Sequence, residues 1–344
     1  MQNAAFEELY RLASTHEQAC VMTAAAELDC WTAILQHRNS LTAAGLAAAL
    51  QTDPRGTAFL LDALAAMGCL EKTGVDASAL YSVPDTFAVS LDSRHPDTII
   101  PLLRHLACVQ RSWVQLAQIV KEGVPAERPA SILGKDEDDV SFILGMNSIA
   151  RNIIGGVIES MREAGVFAFD KEDIAFIDIG GASGTYTQAF LHTLPRAVAT
   201  IFDLPVGISE ARKRFSATDL ENRVQFATGD FYKDPLPEGF DFAWISAIIH
   251  QQNREQSRAL YRAALRSLRP GGKVAVRDFI MDASRTKPLA GAFFGINMLV
   301  NTRTGMVYTF DEVKEDLEQA GFVNVRLPVP AETMSAVVVA HKPT

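Results

Sequence analysis

The first third of the chain has its apolar residues at helical spacing. Alanine and leucine recur three and four residues apart, which predicts a helix over 41–50 with Ser40 as its N-terminal cap. A second helix is predicted over 54–67, because Pro54 suits the first turn of a helix and the same spacing continues after it. This part of the chain is therefore expected to be mainly helical.

Two short strand candidates, 70–72 and 81–83, flank Gly74 and are predicted to pair as a hairpin. Two helices followed by a hairpin are typical of a winged-helix domain, which serves either DNA binding or dimerisation. The second helix carries Arg55, but its remainder, 58–67, is mostly apolar. Since DNA recognition needs a basic face, dimerisation is the favoured interpretation.

Two longer helices are predicted over 97–122 and 138–164. The segment between them, 123–137, holds two glycines, two prolines and a run of acidic residues, and this composition predicts a loop. The sequence contains no internal repeat and no low-complexity segment.

From residue 174 onward, short apolar strands alternate with amphipathic helices. The predicted strands cover 174–179, 198–203, 224–227, 240–246, 273–280, 323–327 and 335–341. The predicted helices cover 185–193, 207–216, 253–268 and 310–320. Such alternation predicts an α/β fold with a mostly parallel sheet. Only a short turn separates the last two strands, so they are expected to pair antiparallel.

Length and charge narrow the classes of partner. The chain has 344 residues, which favours two domains, and its formal net charge is −9. A nucleic-acid partner would need a basic stripe, so none is expected. No apolar run of the roughly 18 residues that a membrane span needs is evident, so no membrane partner is expected. The N-terminus carries Glu7 and Glu8 and does not resemble a secretory signal.

The cysteines and histidines give no sign of a disulfide framework or a metal centre. Four cysteines lie in the first third of the chain without a C-x-x-C pair, at Cys20, Cys30, Cys69 and Cys108. They are typical of reduced thiols in a cytoplasmic protein. The seven histidines include no H-x-x-x-H or H-E-x-x-H pattern, so no metal is expected.

A glycine-rich turn follows the first strand of the second part. The strand reaches Asp178, and the turn after it contains Gly180, Gly181 and Gly184. Glycines let the backbone approach a ligand closely, and the helix that follows offers free N–H groups. The spacing is not the G-x-G-x-x-G of dinucleotide sites, and the acidic residue precedes the glycines. That order, with Ala182 in place of the middle glycine, is the pattern of S-adenosylmethionine (SAM) sites; an ordinary tight turn is the alternative.

Acidic residues also end the next two predicted strands. Asp203 is predicted to accept hydrogen bonds from both ribose hydroxyls, and Leu204 beside it is included in the predicted cofactor site. Asp230 is predicted to accept from the adenine amino group while Phe231 covers the ring. A helix cap and a turn are the alternative roles for the two aspartates. Parallel strands end at one edge of a sheet, so the three acidic strand ends together favour a bound ligand.

The chain resembles a known family over nearly its whole length, most closely over 176–281. The matching segments are FIDIGGASG, FDLP, GDFYKDPLP, SAIIH, LRPGGKVAVRDF and EDLEQAGF. They are similar to O-methyltransferases of the plant caffeate and hydroxyindole type and the bacterial polyketide type. The resemblance implies a winged-helix dimerisation domain over 1–97 and pocket helices over 98–165. It also implies a Rossmann-like SAM-binding domain over 166–344 whose last strand is antiparallel.

The same resemblance implies the chemistry. The cofactor would be SAM, without a metal, the acceptor a small phenol or polyketide, and the enzyme a cytoplasmic homodimer joined through its N-terminal domain. The catalytic base would be His250, just past the fourth predicted strand, unless this histidine has only a structural role. Gln251 and Gln252 follow it where the family has aspartate and tryptophan.

Two carboxylates of the family support that histidine, and this chain retains one of them. Asp278 stands where a family glutamate orients the imidazole, and it would fix the tautomer through the other ring nitrogen. Val307 stands where the family has a second glutamate and cannot hydrogen-bond. One support of the base is therefore missing.

Four further residues are predicted near the acceptor. Phe142 and Met146 match a family segment that clamps an aromatic substrate, with simple core packing as the alternative. Asn297 and Asn301 lie four residues apart on a predicted helix, and the family places an asparagine near the substrate at the second of these positions.

Two more residues are predicted near the cofactor. Arg151 is expected to reach the SAM carboxylate, although an exposed arginine without a ligand is the alternative. Ser246 stands where some relatives carry a lysine near adenine.

Three other functions fit parts of the pattern. A short-chain nicotinamide oxidoreductase would need Tyr-x-x-x-Lys, and none of the six tyrosines has a lysine four residues on. A SAM-sensing winged-helix regulator is disfavoured by the acidic charge. A SAM-dependent hydroxylase or decarboxylase on the same fold stays open, because the missing glutamate leaves the reaction undecided.

Overall fold

The computed structural model describes the backbone of residues 2–344 and the side chains of residues 3–344. Contacts between residues divide the chain into two compact units. The first comprises Met1–Val114 and Glu127–Ile149, and the second comprises Gln115–Ala126 and Ala150–Thr344. The predicted pocket segment 98–165 contributes to both units, and the three-part domain division stays a prediction.

The first unit is mainly helical with a small sheet. Its helices are α1 (Gln2–Ser14), α2 (His16–Glu27), α3 (Cys30–Gln36), α4 (Ala43–Leu50), α5 (Pro54–Ala66), α6 (Asp85–Ala88) and α7 (Ile100–Trp113). Its strands are β1 (Leu41–Thr42), β2 (Glu71–Thr73) and β3 (Leu80–Ser82), which pair antiparallel in the order β1-β3-β2. Trp31, Ile34 and Leu61 are fully buried at its centre. The predicted hairpin around Gly74 is present as β2 and β3.

The cap predicted for α4 was wrong. Leu41 and Thr42 pair with β3, so the helix begins two residues later than predicted. The cap is Thr42, whose side chain accepts a hydrogen bond from the backbone N–H of Gly45. A strand pairing that the local spacing does not reveal therefore moved the helix start away from Ser40.

The helix predicted over 97–122 is two helices. Between α7 and α8 (Leu116–Glu122) the backbone turns at Val114 and Gln115, although neither proline nor glycine marks the break. The second predicted helix is α9 (Lys135–Glu163), which begins three residues before the predicted start and joins both units along its length.

One helix among residues 2–344, α9, is long and apolar enough to cross a membrane by length and composition. Its most apolar 18-residue window has a mean hydropathy of 1.3, and 22% of that window is buried. The sequence analysis overlooked this window because polar residues interrupt it. Helices in the core of water-soluble proteins pass the same test, so the finding is weak evidence for a membrane span.

The second unit is built around a seven-stranded sheet. Its strands are β4 (Ala175–Ile179), β5 (Val198–Asp203), β6 (Val224–Thr228), β7 (Phe240–Ser246), β8 (Leu268–Asp278), β11 (Val323–Val329) and β12 (Ala336–His341). Its helices, after α8 and the second part of α9, are α10 (Thr185–Thr193), α11 (Pro205–Phe215), α12 (Arg254–Ser267), α13 (Leu289–Asn301) and α14 (Phe310–Ala320). A separate parallel pair joins β9 (Ile280–Met281) to β10 (Tyr308–Thr309).

The strand order is β11-β12-β8-β7-β4-β5-β6. The pairs from β8 through β6 are parallel, and β12 runs antiparallel to both of its neighbours, which confirms the predicted sheet. One face of the sheet packs on α12 and α14, and the other on α9, α10 and α11. The carboxyl ends of β4, β5, β6, β7 and β8 therefore meet at one edge.

Candidate cofactor and acceptor site

The turn between β4 and α10 requires glycine at both ends. Gly180 has φ of +71°, and a Cβ there would lie 2.3 Å from Cδ1 of Ile248. Gly184 has φ of +74°, and a Cβ there would lie 2.7 Å from Cδ1 of Ile201. Left-handed backbone and the absence of space both exclude a side chain. The turn consequently lies directly against the ends of the neighbouring strands.

Between these glycines, Ala182 adopts a conformation that an alanine rarely takes, with φ of +46°. Its backbone N–H donates a 2.7 Å hydrogen bond to Oδ2 of Asp203 at the end of β5. Oδ1 of the same carboxylate accepts from the N–H of Leu204 at 2.6 Å. The aspartate predicted to bind ribose thus also holds the turn, while the side chain of Leu204 is exposed beside it.

Asp178 lies beneath the turn. Its carboxyl group is 2% exposed and accepts a 2.6 Å hydrogen bond from Oγ1 of Thr187 in α10. A Cβ at Gly181 would lie 2.7 Å from its carboxyl carbon, so this glycine is needed to cover it. Burial raises the pKa of Asp178 to about 7. The residue shapes the turn from below and does not present its carboxylate to solvent.

The end of β6 presents a second carboxylate and an aromatic ring. Asp230 accepts from the backbone N–H of Tyr232 at 3.0 Å and pairs with Nζ of Lys233 at 2.9 Å. The hydrogen bond from Lys233 lowers the pKa of Asp230. Phe231 is half-buried, and its ring lies 3.5 Å from the position of a Cβ on Gly180. Asp230 and Phe231 therefore stand beside the glycine turn.

A buried histidine and carboxylate meet after β7 and at the end of β8. Nδ1 of His250 lies 3.0 Å from each carboxylate oxygen of Asp278. The two residues are 7% and 1% exposed, and Asp278 also accepts from the N–H of Phe279 at 2.8 Å. Donation by Nδ1–H leaves Nε2 as the acceptor nitrogen of the neutral ring. This arrangement suits a general base oriented by a carboxylate.

The ring of His250 is held on a second side by Phe294 of α13, which the sequence analysis missed. The two ring centres are 4.8 Å apart at 88°, and Phe294 also packs on Phe279 at 4.9 Å. The backbone carbonyl of His250 accepts from the N–H of Met306 at 2.8 Å. Val307 follows, is 9% exposed and contributes no hydrogen bond from its side chain. Aromatic packing and one carboxylate therefore orient this imidazole.

Comparison with family models assigns two segments of the chain. Residues 131–323 match the O-methyltransferase domain, and residues 10–86 match the O-methyltransferase dimerisation domain. The chain belongs to the O-methyltransferase family.

Individual relatives agree with this assignment. The methyltransferase is 28% identical to acetylserotonin O-methyltransferase of Bos taurus, over 92% of each chain. It is 31% identical to the tetracenomycin polyketide synthesis 8-O-methyl transferase TcmO of Streptomyces glaucescens, over 79% of each chain. The solved structure of human N-acetylserotonin methyltransferase in complex with SAM matches its fold with a TM-score of 0.80 at 24% identity, covering 99% of this chain and 98% of that one.

The sequence-based conclusions on family, fold, activity and cofactor are confirmed. This chain is a SAM-dependent O-methyltransferase, and the oxidoreductase, regulator and non-methylating alternatives are not favoured. Within residues 2–344, no group of three or more His, Cys, Asp or Glu side chains is arranged to hold a metal ion.

The predicted acceptor residues of this methyltransferase fall in different units. Phe142 and Met146 lie one turn apart in the part of α9 that belongs to the first unit, and the ring of Phe142 lies 5.1 Å from His105. Asn297 and Asn301 lie in the second unit, where Nδ2 of Asn301 donates to Oδ1 of Asn297 at 2.9 Å. These four assignments stay predictions.

Two arginines lie close to the glycine turn. Nε of Arg214, in α11, donates to the carbonyl of Ser183 at 2.7 Å. Burial lowers the pKa of Arg214, and the neighbouring charge of Arg151 lowers it further. Arg151 therefore lies within electrostatic range of Arg214, and its assignment to the SAM carboxylate stays a prediction. Sequence spacing could not identify Arg214, because it lies in a helix otherwise typical of a solvated surface.

The end of β7, where Ser246 was predicted to lie near the cofactor, is polar. Oγ of Ser246 accepts a 2.9 Å hydrogen bond from Nη1 of Arg277 in β8. No sequence motif singles out Arg277, because its contact with Ser246 depends on the pairing of β7 and β8.

We predict that Asp178→Asn stabilises the fold more at pH 8 than at pH 5. Burial raises the pKa of the folded state from 3.8 to about 7, so the stability from the protonated carboxyl is complete below about pH 4 and is lost as pH rises through about 7. Asparagine does not ionise. The free energy of unfolding of the variant minus that of the parent, measured in urea, should therefore increase by about 2–3 kcal/mol from pH 5 to pH 8.

Asp219→Asn, at an exposed aspartate outside the site, is the control and should show no such change. The same stability difference at both pH values would show that Asp178 stays ionised in the folded protein.

Proposed function

We propose that this methyltransferase acts on a hydroxyl of a small aromatic or polyketide acceptor and uses His250 as its general base. The observation that carries the proposal is the buried pair of His250 and Asp278 at the carboxyl edge of the sheet. The names of relatives support the acceptor class, because they include enzymes for acetylserotonin and for 3-hydroxy-5-methyl-1-naphthoate.

Each residue of the pair has a separate task. When bound, SAM supplies an activated methyl group. Asp278 fixes the tautomer of His250. Nε2 of that ring would then accept the hydroxyl proton while the acceptor oxygen attacks the activated methyl group. Phe294 limits rotation of the imidazole, which replaces part of the orientation that a carboxylate at Val307 would give. The main contribution to the rate would be alignment of the reacting atoms.

The turn after β4 suits the cofactor because its glycines let the backbone approach a ligand closely. Gly180 and Gly184 hold it in a left-handed conformation against the strand ends. Asp203 would bind the ribose hydroxyls and Asp230 the adenine amino group.

Four further residues complete the cofactor assignment. Leu204 and Phe231 would cover the adenine faces, and Ser246 would line the cofactor site at the end of β7. Arg151 would bind the methionyl carboxylate. Phe142, Met146, Asn297 and Asn301 would contact the acceptor.

We also propose that the enzyme is a cytoplasmic homodimer whose N-terminal winged-helix domain is a dimerisation scaffold. The first unit exposes large apolar side chains on α1: Phe6, Leu9, Tyr10 and Leu12, each more than half exposed. A second apolar group lies on α9: Val140, Ile143, Leu144 and Ile149. Contiguous exposed apolar surface is typical of subunit interfaces, and a second copy of this chain is the proposed occupant.

Asp203→Ala should weaken SAM binding by roughly 1–3 kcal/mol or more, because charge-assisted hydrogen bonds to the ribose and the bond that holds the turn at Ala182 would both be lost. Calorimetry on the parent should give micromolar or tighter binding of SAM and no binding of NAD. Asp219→Ala is the control. Tighter binding of NAD than of SAM would refute the cofactor assignment.

His250→Ala should lower kcat by roughly 10²–10⁴, the usual contribution of a general base, and leave SAM affinity unchanged. Asp278→Asn should have a milder effect, because it leaves the base in place and disturbs its tautomer and the stabilisation of its protonated form. His192→Ala, at an exposed histidine of α10, is the control. A kcat within about threefold of the parent would exclude the base role and leave the SAM site intact.

Light scattering at micromolar concentration should give twice the chain mass of 37.5 kDa. Leu9→Asp should shift the equilibrium towards monomer, because it places a charge in the apolar surface of α1. Val323→Asp, at an exposed apolar residue of β11, should remain dimeric. A monomeric parent would contradict the proposal.

A further inference from the structure

A positively charged side chain is buried at the carboxyl end of β8. Arg277 is 4% exposed, pairs in register with Ser246 of β7 and donates to its hydroxyl at 2.9 Å. Its guanidinium carbon lies 5.1 Å from the ring centre of Tyr186, the second residue of α10. Arg277 therefore connects two strand ends with the helix that follows the glycine turn.

Part of the hydrogen-bonding capacity of this cluster is unused. Among the residues that the structure describes, Nε of Arg277 and the hydroxyl of Tyr186 are buried without a partner. Tyr186 is 8% exposed. Buried polar groups are nearly always hydrogen-bonded, so two unsatisfied groups on neighbouring side chains indicate that an acceptor completes the cluster.

The acceptor is not a carboxylate of the neighbouring core. Asp278 shares its oxygens among His250 and the N–H of Phe279, and Asp178 accepts from Thr187. Guanidinium groups remain charged even where burial lowers their pKa, as it does for Arg277. An unpaired buried cation is costly, and an anionic ligand would remove most of that cost.

The strand order indicates which part of SAM reaches this cluster. The carboxylates proposed for ribose and adenine end β5 and β6, on one side of β4. Ser246 and Arg277 end β7 and β8, on the other side of β4. A ligand that lies along this edge with its nucleoside over β5 and β6 extends its amino-acid tail towards β7 and β8. The tail carries the only anionic group of SAM.

The first turn of α10 adds to this preference. The helix begins after Gly184 without a side-chain cap, and its N-terminal end carries partial positive charge. The backbone of Tyr186 lies in that turn, and the guanidinium of Arg277 lies over its ring.

We propose that Arg277, with Ser246 and Tyr186, forms a subsite for the carboxylate of the methionyl tail of SAM. The inference rests on the proposed cofactor orientation and adds a second cation to it. Arg151 and Arg277 would each donate to the carboxylate, which has two oxygens and can accept from both.

Calorimetry with two probes tests the subsite. S-adenosylhomocysteine (SAH) carries the amino-acid tail, and 5′-methylthioadenosine has the same nucleoside without it. Arg277→Met should weaken SAH by about 10–100-fold, as expected for loss of a charged hydrogen bond, and should leave methylthioadenosine within about twofold. Arg277→Lys should recover part of the affinity, because it restores the charge but not the fork of donors. Arg326→Met, at an exposed arginine of β11, is the control.

Tyr186→Phe provides a second test that does not remove a buried charge. It should weaken SAH by about threefold to tenfold and leave methylthioadenosine unchanged, since one hydrogen bond is lost. If Arg277→Met fails to fold, this variant decides the proposal.

Three results would overturn the subsite. The first is unchanged SAH affinity in both variants. The second is an equal loss for both probes, which would indicate a structural role. The third is a raised KM for the acceptor with unchanged SAH affinity, which would show that the cluster binds an anionic group of the acceptor instead. Failure of the parent to bind SAH or SAM at all would instead refute the proposed cofactor orientation.

Discussion

The hydrogen bond from Ala182 N–H to Asp203 is the interaction on which the site depends. It joins the turn after β4 to the end of β5 and holds a left-handed alanine between two left-handed glycines. A strained backbone conformation of this kind persists only where the surrounding contacts hold it in place. Here Ile248 and Ile201 leave no room for side chains at the flanking glycines. The cofactor surface is therefore shaped by the packing of neighbouring strands as much as by the turn itself.

Charged groups at this edge are separated by the two faces of the sheet. Neighbouring residues of β8 point to opposite faces, so Asp278 meets His250 while Arg277 meets Ser246 and Tyr186. The end of β8 thus places the carboxylate that orients His250 on one face of the sheet and a buried cation on the other. A one-residue shift in the pairing of β7 and β8 would exchange both groups. The register of the central sheet therefore determines the chemistry of the site.

The histidine of this methyltransferase is supported differently from the family pattern. A valine replaces one carboxylate, and the edge-on contact of Phe294 restricts the ring from that side of the site. Apolar packing fixes the position of the ring but does not stabilise its protonated form as a second carboxylate would. The base would therefore depend on Asp278 for both tautomer and charge.

The sequence alone determined the family, the order along the chain of the seven main-sheet strands, the glycine turn and the acidic strand ends, because these follow from local spacing and contiguous motifs. It did not predict the short pair of β9 and β10. It predicted His250 and Asp278 only through resemblance, since 28 positions separate them and only the pairing of strands places them 3.0 Å apart. The cap at Thr42, the break between α7 and α8, and the positions of Phe294, Arg214 and Arg277 came from the tertiary structure. Each of these depends on a partner distant in sequence or on a backbone turn without a proline or glycine, and no local pattern records such a contact.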